Sequence, residues 1–245
     1  MNDISTAAQW IKETDNIVFF GGAGTSTKSG VPDFRSEDGL YNTAKDQTIA
    51  PEYALSAQYL HEDPDAFSHF YKNHLIYPDA QPTILHEMLV KWEREGKLKA
   101  VITQNIDNLH QNAGSEKVIE LHGNLSDHVC TKCGREYDLS YAMRFEKAAA
   151  CEACGGLVRP VVTLYGESLP MGAFEEAARC IAEAEVLIVA GTSLVVYPAA
   201  GLLQYYRKDK LILINQQQTP MDGMANLLFR EDIGQTLAQI DKGAQ

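Results

Sequence analysis

Four of the five cysteines stand in two pairs, Cys130 with Cys133 and Cys151 with Cys154; each pair encloses two residues and 17 residues lie between the pairs. A two-residue gap lets two thiolates on one tight turn reach the same ion. Two such turns supply the four corners of the tetrahedron that zinc accepts. Gly134, Gly155 and Gly156 follow the pairs, where such turns often need a positive φ. Four sulfurs close the coordination shell and leave no position for water, so the expected zinc is structural, one per chain. The alternatives are a redox pair, which leaves the second pair unexplained, and an iron–sulfur cluster, which this spacing suits less well. The fifth cysteine, Cys180, lies in the helical run AFEEAARCIAEAE, where a buried apolar role is expected.

A second set of chemically active residues sits in glycine-rich or polar loops. In GAGTST, Gly22 and Gly24 match the first two glycines of a dinucleotide fingerprint, but the third place is Thr27. No acidic residue follows at the distance where a ribose-binding group is expected. Taken alone, the motif reads equally as a tight strand-to-helix turn. GVPDFRS adds Phe34, able to cover a ring, and Arg35, whose fork of donors suits phosphate; an Asp33–Arg35 ion pair is the plain alternative. TQNIDNLH places Gln104, Asn105 and Asp107 within one turn, fit to hold sugar hydroxyls or a carboxamide. Gly191, Thr192 and Ser193 can offer backbone N–H groups and hydroxyls to phosphate, and Asn215 can bind ribose hydroxyls. His122, backed by Gly123, is the candidate general base; the other histidines lack that setting.

These loops need strands to hold them. Apolar runs over 16–24, 98–107, 117–123, 185–193 and 209–216 each end in polar residues or glycine. Helical patterns occupy 52–60, 64–75, 82–95, 173–184 and 197–208, and an amphipathic helix opens the chain. Alternation of this kind predicts an α/β fold, a Rossmann-like parallel sheet with helices on both faces. Ligands of such sheets bind beyond the carboxyl ends of the strands, where the polar loops fall. The expected division is a sheet domain over 1–36, 81–124 and 161–245, with a small helical and zinc-binding domain over 37–80 and 125–160.

The 245 residues are 45% hydrophobic and 22% charged, an ordinary balance for a globular chain. No apolar run is long enough to span a membrane, and the N-terminal stretch is no signal peptide; a cytoplasmic monomer is expected. Acidic residues outnumber basic ones 33 to 21, a net charge of −12, which argues against nucleic acid as a partner. It suits lysine-rich segments, or serves only solubility.

Taken in order, GAGTST, GVPDFRSEDGLY, TQNIDNLHQNAG, ELHG, the cysteine pairs, RPVVTLYGESLP, GTSLVVYPAA and LILINQQQTP resemble the sirtuins, NAD-dependent protein lysine deacylases. The resemblance covers nearly the whole chain and implies a cleft between the two domains. It implies that Ala23, Thr27, Phe34 and Arg35 line the NAD site. Gln104, Asn105, Ile106 and Asp107 would hold nicotinamide and its ribose. Thr192 and Ser193 would contact the phosphate side, and Asn215 the adenosine ribose. Asp232 and Ile233 would border the adenine. His122, Asn105 and Asp107 are the implied catalytic residues. The implied reaction removes an acetyl group from protein lysine and releases nicotinamide and O-acetyl-ADP-ribose. A mono-ADP-ribosyltransferase is the alternative, ahead of an inactive NAD sensor or a dehydrogenase.

Two substrate positions depart from the family pattern: Tyr165 replaces a usual Phe and Thr163 a usual Val. Members that accept acidic acyl groups carry Tyr-x-x-Arg on a cleft helix. Here FYKNH supplies Tyr71 and His74, without the guanidinium fork. Short neutral acyl groups, chiefly acetyl, are therefore expected.

Overall fold

The structure, a computed structural model, describes residues 3–34, 39–40 and 49–245. Arg35 and part of the helical stretch expected from 37 lie outside the described residues. In chain order the elements are α1 (Asp3–Glu13), β1 (Ile17–Gly21), α2 (Pro51–Ala54), α3 (Ala57–Glu62), α4 (Pro64–His74), α5 (Ile84–Arg94), β2 (Leu98–Thr103), α6 (Leu109–Ala113) and β3 (Val118–Glu120). There follow β4 (Gly123–Cys130), β5 (Glu136–Asp138), α7 (Leu139–Ala142), β6 (Ala149–Ala150), β7 (Leu157–Val162), α8 (Met171–Glu183), β8 (Val186–Ala190), β9 (Leu211–Ile214), β10 (Leu227–Phe229) and α9 (Ile233–Ala244).

Six strands form a parallel sheet in the order β10-β9-β8-β1-β2-β3. All five residues of β1 and of β8 are buried, as continuous apolar runs demand when both faces are covered. Alternation within β1 divides the core. Val18 and Phe20 pack toward α8, through Ala177 and Ile181. Ile17 and Phe19 pack toward α1, α5 and α9, through Ile11, Leu89, Trp92 and Leu237. The chain runs outward from β1 through β2 to β3, then returns to build β8, β9 and β10 on the other side. The carboxyl ends of β1 and β8 therefore flank the point where strand order reverses, the crevice in which open α/β sheets bind ligands.

Four further strands, in the order β5-β4-β7-β6, form an antiparallel sheet that carries the cysteines. It has a small core of its own around Tyr141, Ala142, Ala149 and Val158. A separate cluster of Leu60, Phe67, Tyr71, Leu125 and Leu164 joins the helices α3 and α4 to the strands.

Several expectations need correction. The helix read over 52–60 is broken at Ser56, which adopts extended dihedrals and caps α3 by accepting from Tyr59 N at 3.0 Å. The backbone there bonds sideways instead. Tyr165 N donates to Leu55 O and Ala57 N donates to Tyr165 O, both at 3.0 Å. The helix read over 197–208 is a 3₁₀ helix, Ala199–Tyr205, following Pro198, which lacks an N–H. The strand read over 117–123 is shorter, and Gly123 already belongs to the antiparallel sheet. The edge strand β10, only three residues long, escapes the hydrophobic pattern.

Candidate functional site

The loops after β1 and β8 touch backbone to backbone. Gly22 N donates to Ala190 O at 3.2 Å and Gly24 N donates to Gly191 O at 2.8 Å. A Cβ on Gly24 would lie 2.8 Å from the Gly191 Cα, and one on Gly22 would lie 2.7 Å from the Thr192 Cβ. The glycines are thus needed for close approach of two strand ends. The chain then continues through two short 3₁₀ turns to Gly30 at φ 84°.

Next to this contact the residues after β2 enter a hydroxyl network. Asn105 Nδ2 donates to Thr25 Oγ1 at 3.0 Å and to Ser26 Oγ at 2.9 Å. Ser26 Oγ donates to Asp107 Oδ2 at 2.6 Å, and Leu109 N donates to Asp107 Oδ1 at 3.0 Å. Burial pushes the Asp107 carboxyl above its ordinary value, against the lowering effect of these bonds. With both amide hydrogens of Asn105 engaged, its oxygen remains as the acceptor for a ligand. Gln104 Nε2 donates to Thr192 Oγ1 at 3.0 Å, tying the β2 loop to the β8 loop.

His122 follows β3. Its Nδ1 lies 2.8 Å from the Gln104 carbonyl, which can only accept, so Nδ1 carries the hydrogen. In the neutral ring Nε2 is then the basic nitrogen. Burial lowers the His122 pKa and the Gln104 bond partly restores it. The His122 carbonyl accepts from Thr163 N at 2.9 Å, so the catalytic candidate and the segment beyond β7 are joined directly.

A cavity of about 1040 Å³ runs across these strand ends. Its wall includes Gly22, Ala23, Gly24, Thr27 and Phe34 from the first loop, and Gln104, Asn105, Ile106, Asp107 and His122 from the middle of the chain. Gly191, Thr192, Ser193, Asn215, Asp232 and Ile233 line it too, as do Thr163 and Tyr165. Of the cavity residues expected from sequence, only Arg35 is outside the described residues. Sequence reading passed over Ser26 and Thr25, although both lie inside GAGTST. Their signal is weak because serine and threonine in such turns more often bond their own backbone. His74 lines the cavity, whereas Tyr71 is turned into the core, with its hydroxyl 3.3 Å from His128 Nε2.

Away from the cavity the sulfurs of Cys130, Cys133, Cys151 and Cys154 all lie within 4.8 Å of one another. Cys130 Sγ is 3.5 Å from Cys154 Sγ, and Cys133 Sγ is 3.6 Å from Cys151 Sγ. Zinc bonded to thiolates at about 2.3 Å in a tetrahedron sets sulfurs about 3.8 Å apart, so the set fits. Gly134 N donates to Cys130 O and Gly155 N to Cys151 O, with both glycines at positive φ. Tyr137 Oη donates to Cys151 Sγ at 3.0 Å, an outer contact that holds one sulfur in place.

The sheet order, the paired glycine loops and the attached cysteine module define an α/β protein with a dinucleotide-type crevice and a closed metal knot. The chain belongs to the Sir2 family, whose model matches residues 22–198. An NAD-dependent protein deacetylase of Clostridium tetani (strain Massachusetts / E88) is 49% identical over 231 residues, 94% of each chain. One from Clostridium acetobutylicum is 45% identical over 241 residues, 98% of each. Among solved structures, a Sir2 with p53 peptide and NAD+ matches at 35% identity and TM-score 0.85, covering 99% of this chain and 98% of that one. A Sir2 with deacetylated p53 peptide and 3′-O-acetyl-ADP-ribose matches at 34% identity and TM-score 0.88, covering 98% and 97%.

Proposed function

We propose that the protein is an NAD-dependent protein lysine deacetylase, releasing nicotinamide, free lysine and O-acetyl-ADP-ribose. The observation that carries this reading is the His122 ring, held through Nδ1 by Gln104 on the wall shared by Asn105 and Asp107. NAD, consumed as co-substrate, supplies a ribose carbon with nicotinamide as leaving group. Asn105 and Asp107, fixed by Ser26 and Thr25, hold the nicotinamide end. The acyl oxygen would attack that ribose carbon as nicotinamide leaves. His122 Nε2 would then take a proton from a ribose hydroxyl, which attacks the imidate carbon, and addition of water expels the lysine amine and leaves O-acetyl-ADP-ribose. The glycine loops and the hydroxyls of Thr192 and Ser193 face the phosphates, with Asn215 at the far ribose.

Thr163 and Tyr165 border the lysine path, whose mouth carries the 40% exposed Tyr165 ring. A preference for acetyl over succinyl lysine follows from His74 in place of an arginine and from a buried Tyr71. The separate cores of the parallel sheet and of the cysteine-bearing sheet support the division into 1–36, 81–124 and 161–245 against 37–80 and 125–160, with Leu164 packing across it onto Leu60, Phe67 and Tyr71. A reducing cytoplasm suits four thiolates on zinc. Among the described residues no helix is long and apolar enough to cross a membrane.

Incubation with NAD and matched acetyl- and succinyl-lysine peptides, read by mass, tests the reading. Expected are nicotinamide, deacetylated peptide and O-acetyl-ADP-ribose in equal amounts, with little desuccinylation. ADP-ribose on protein without acyl-lysine would favour the transferase instead. His122→Ala should cut turnover by about 10²-fold or more while NAD still binds.

A further inference from the structure

The motif RPVVTLYGESLP holds two charges that the proposed reaction does not use. Arg159 of β7 meets Glu167 through both prongs of its guanidinium: Nη1 donates to Oε1 at 2.5 Å and Nη2 to Oε2 at 3.0 Å. Arg159 Nη2 also donates to the Val162 carbonyl at 2.7 Å, and Glu167 Oε2 accepts from Leu164 N at 2.8 Å. Gly166, at φ 91°, turns the chain so that Glu167 N donates back to Leu164 O at 3.0 Å. The pair thus closes a bracket around residues 162–167. All six of those residues line the cavity, whereas Arg159 is not among its described wall residues. Both side chains are largely buried, 16% and 29% exposed. Burial alone would raise the Glu167 carboxyl, but the bonds from Arg159 and Leu164 N hold it below its ordinary value, so the pair is charged at neutral pH.

We infer that Arg159 and Glu167 are positioning residues for the acylated peptide: they hold residues 162–167 in the backbone shape that receives the acyl-lysine segment beside Thr163 and Tyr165. The inference rests on the deacetylase reading given above. The segment is tied on two sides. Thr163 N donates to His122 O at 2.9 Å, toward the parallel sheet. Tyr165 N donates to Leu55 O and Tyr165 O accepts from Ala57 N, both at 3.0 Å, toward the helical layer. Beyond these ties comes Gly166, where a Cβ would meet no atom within 4 Å. A glycine at positive φ beside open space is a free joint, and side-chain packing does not restrain it. The guanidinium fork supplies the restraint, because its donors are fixed in one plane and little freedom is lost per bond. A receiving segment held in shape beforehand binds its peptide without first having to be ordered. Arg159 stands off the wall, so its effect on the peptide passes through the segment that it holds.

Steady-state deacetylation of an acetyl-lysine peptide at saturating NAD, together with calorimetric binding of ADP-ribose to the full chain, provides the test. Arg159→Lys keeps the charge but not the fork, and Glu167→Gln keeps an acceptor for Leu164 N, so each opens the bracket with little change of shape. Each should raise the peptide KM about tenfold, leave kcat within about twofold and leave the ADP-ribose affinity unchanged. A purely structural role would act through the fraction of folded enzyme. It would lower kcat and the number of ADP-ribose sites together, at constant KM. That pattern, or an unchanged peptide KM in both variants, overturns the positioning role while leaving the deacetylase reading intact. Absence of deacetylation by the wild type overturns the reading and the positioning role with it.

Discussion

The Nδ1 of His122 is tied to the Gln104 carbonyl, and that bond decides which nitrogen stays basic. Burial disfavours the imidazolium, so the His122 pKa lies below its ordinary value of 6.5. On the proposed assignment the neutral ring is the working base, and activity is lost as pH falls through that pKa. The acid limb of kcat for deacetylation should therefore have its midpoint below about 6.5, with full activity at pH 7. A limb at or above pH 7 in a pH–rate profile would contradict the assignment. The same scale shows what a sequence reader can miss. His122 stood out as a lone histidine at a strand end, while Ser26 looked like ordinary turn chemistry. Its importance arises from partners about 80 positions away, Asn105 and Asp107.

At the level of elements, the join between the two sheets depends on one glycine. Gly123 opens β4 at φ 70°, and a Cβ there would sit 1.9 Å from the Val161 carbonyl oxygen of β7. Neither strand can yield without moving His122 or Thr163, which are bonded across the same point. Gly123→Ala should destabilise the chain by about 3 kcal/mol or more, combining dihedral strain with a backbone clash. Gly30→Ala is the contrast: φ is 84° but no atom lies within 4 Å of its Cβ, so about 1 kcal/mol is expected. Urea denaturation of both variants measures the difference. The break between α2 and α3 is also an effect of long-range pairing. Local pattern favoured one helix, and the Tyr165 backbone took the hydrogen bonds that would have continued it.

Across the whole molecule, one buried pair links the helical layer to the segment that follows the loop after β2. His86 of α5 and His110 of α6 pack with ring centroids 4.7 Å apart, and Phe19 of β1 meets His110 edge-on. His86 Nδ1 accepts from Thr83 N at 3.1 Å; His86 Nε2 and both His110 nitrogens have no partner among the described residues. Burial lowers His86 to about 4 and His110 to about 3, with His86 adding to the effect at His110. Both are neutral in the folded protein, while the unfolded chain binds protons once pH drops below about 6.5. Their stability contribution is complete above that pH and is lost as pH falls toward 4. The loss should be about 1.4 kcal/mol per pH unit for each titrating ring. Unfolding free energies from pH 7.5 to 4.5 should show this slope, and His110→Phe should flatten it. An equal slope in the variant would remove the pair from the explanation.

Spacing alone determined the cysteine knot, because two residues between thiolates is a local geometric condition that metal ligation requires. Apolar runs ending in polar loops also determined the parallel sheet and set Gly22, Gly24, Gln104, Asn105, Asp107, His122, Thr192, Ser193 and Asn215 along one sheet edge, whereas Ala23, Thr27, Ile106, Thr163, Tyr165, Asp232 and Ile233 were implied by the family resemblance. The antiparallel sheet, the break at Ser56 and the 3₁₀ helix were decided only by the tertiary structure. Each depends on groups far apart in the chain meeting at hydrogen-bond distance, and the free energy of that meeting is absent from any local pattern.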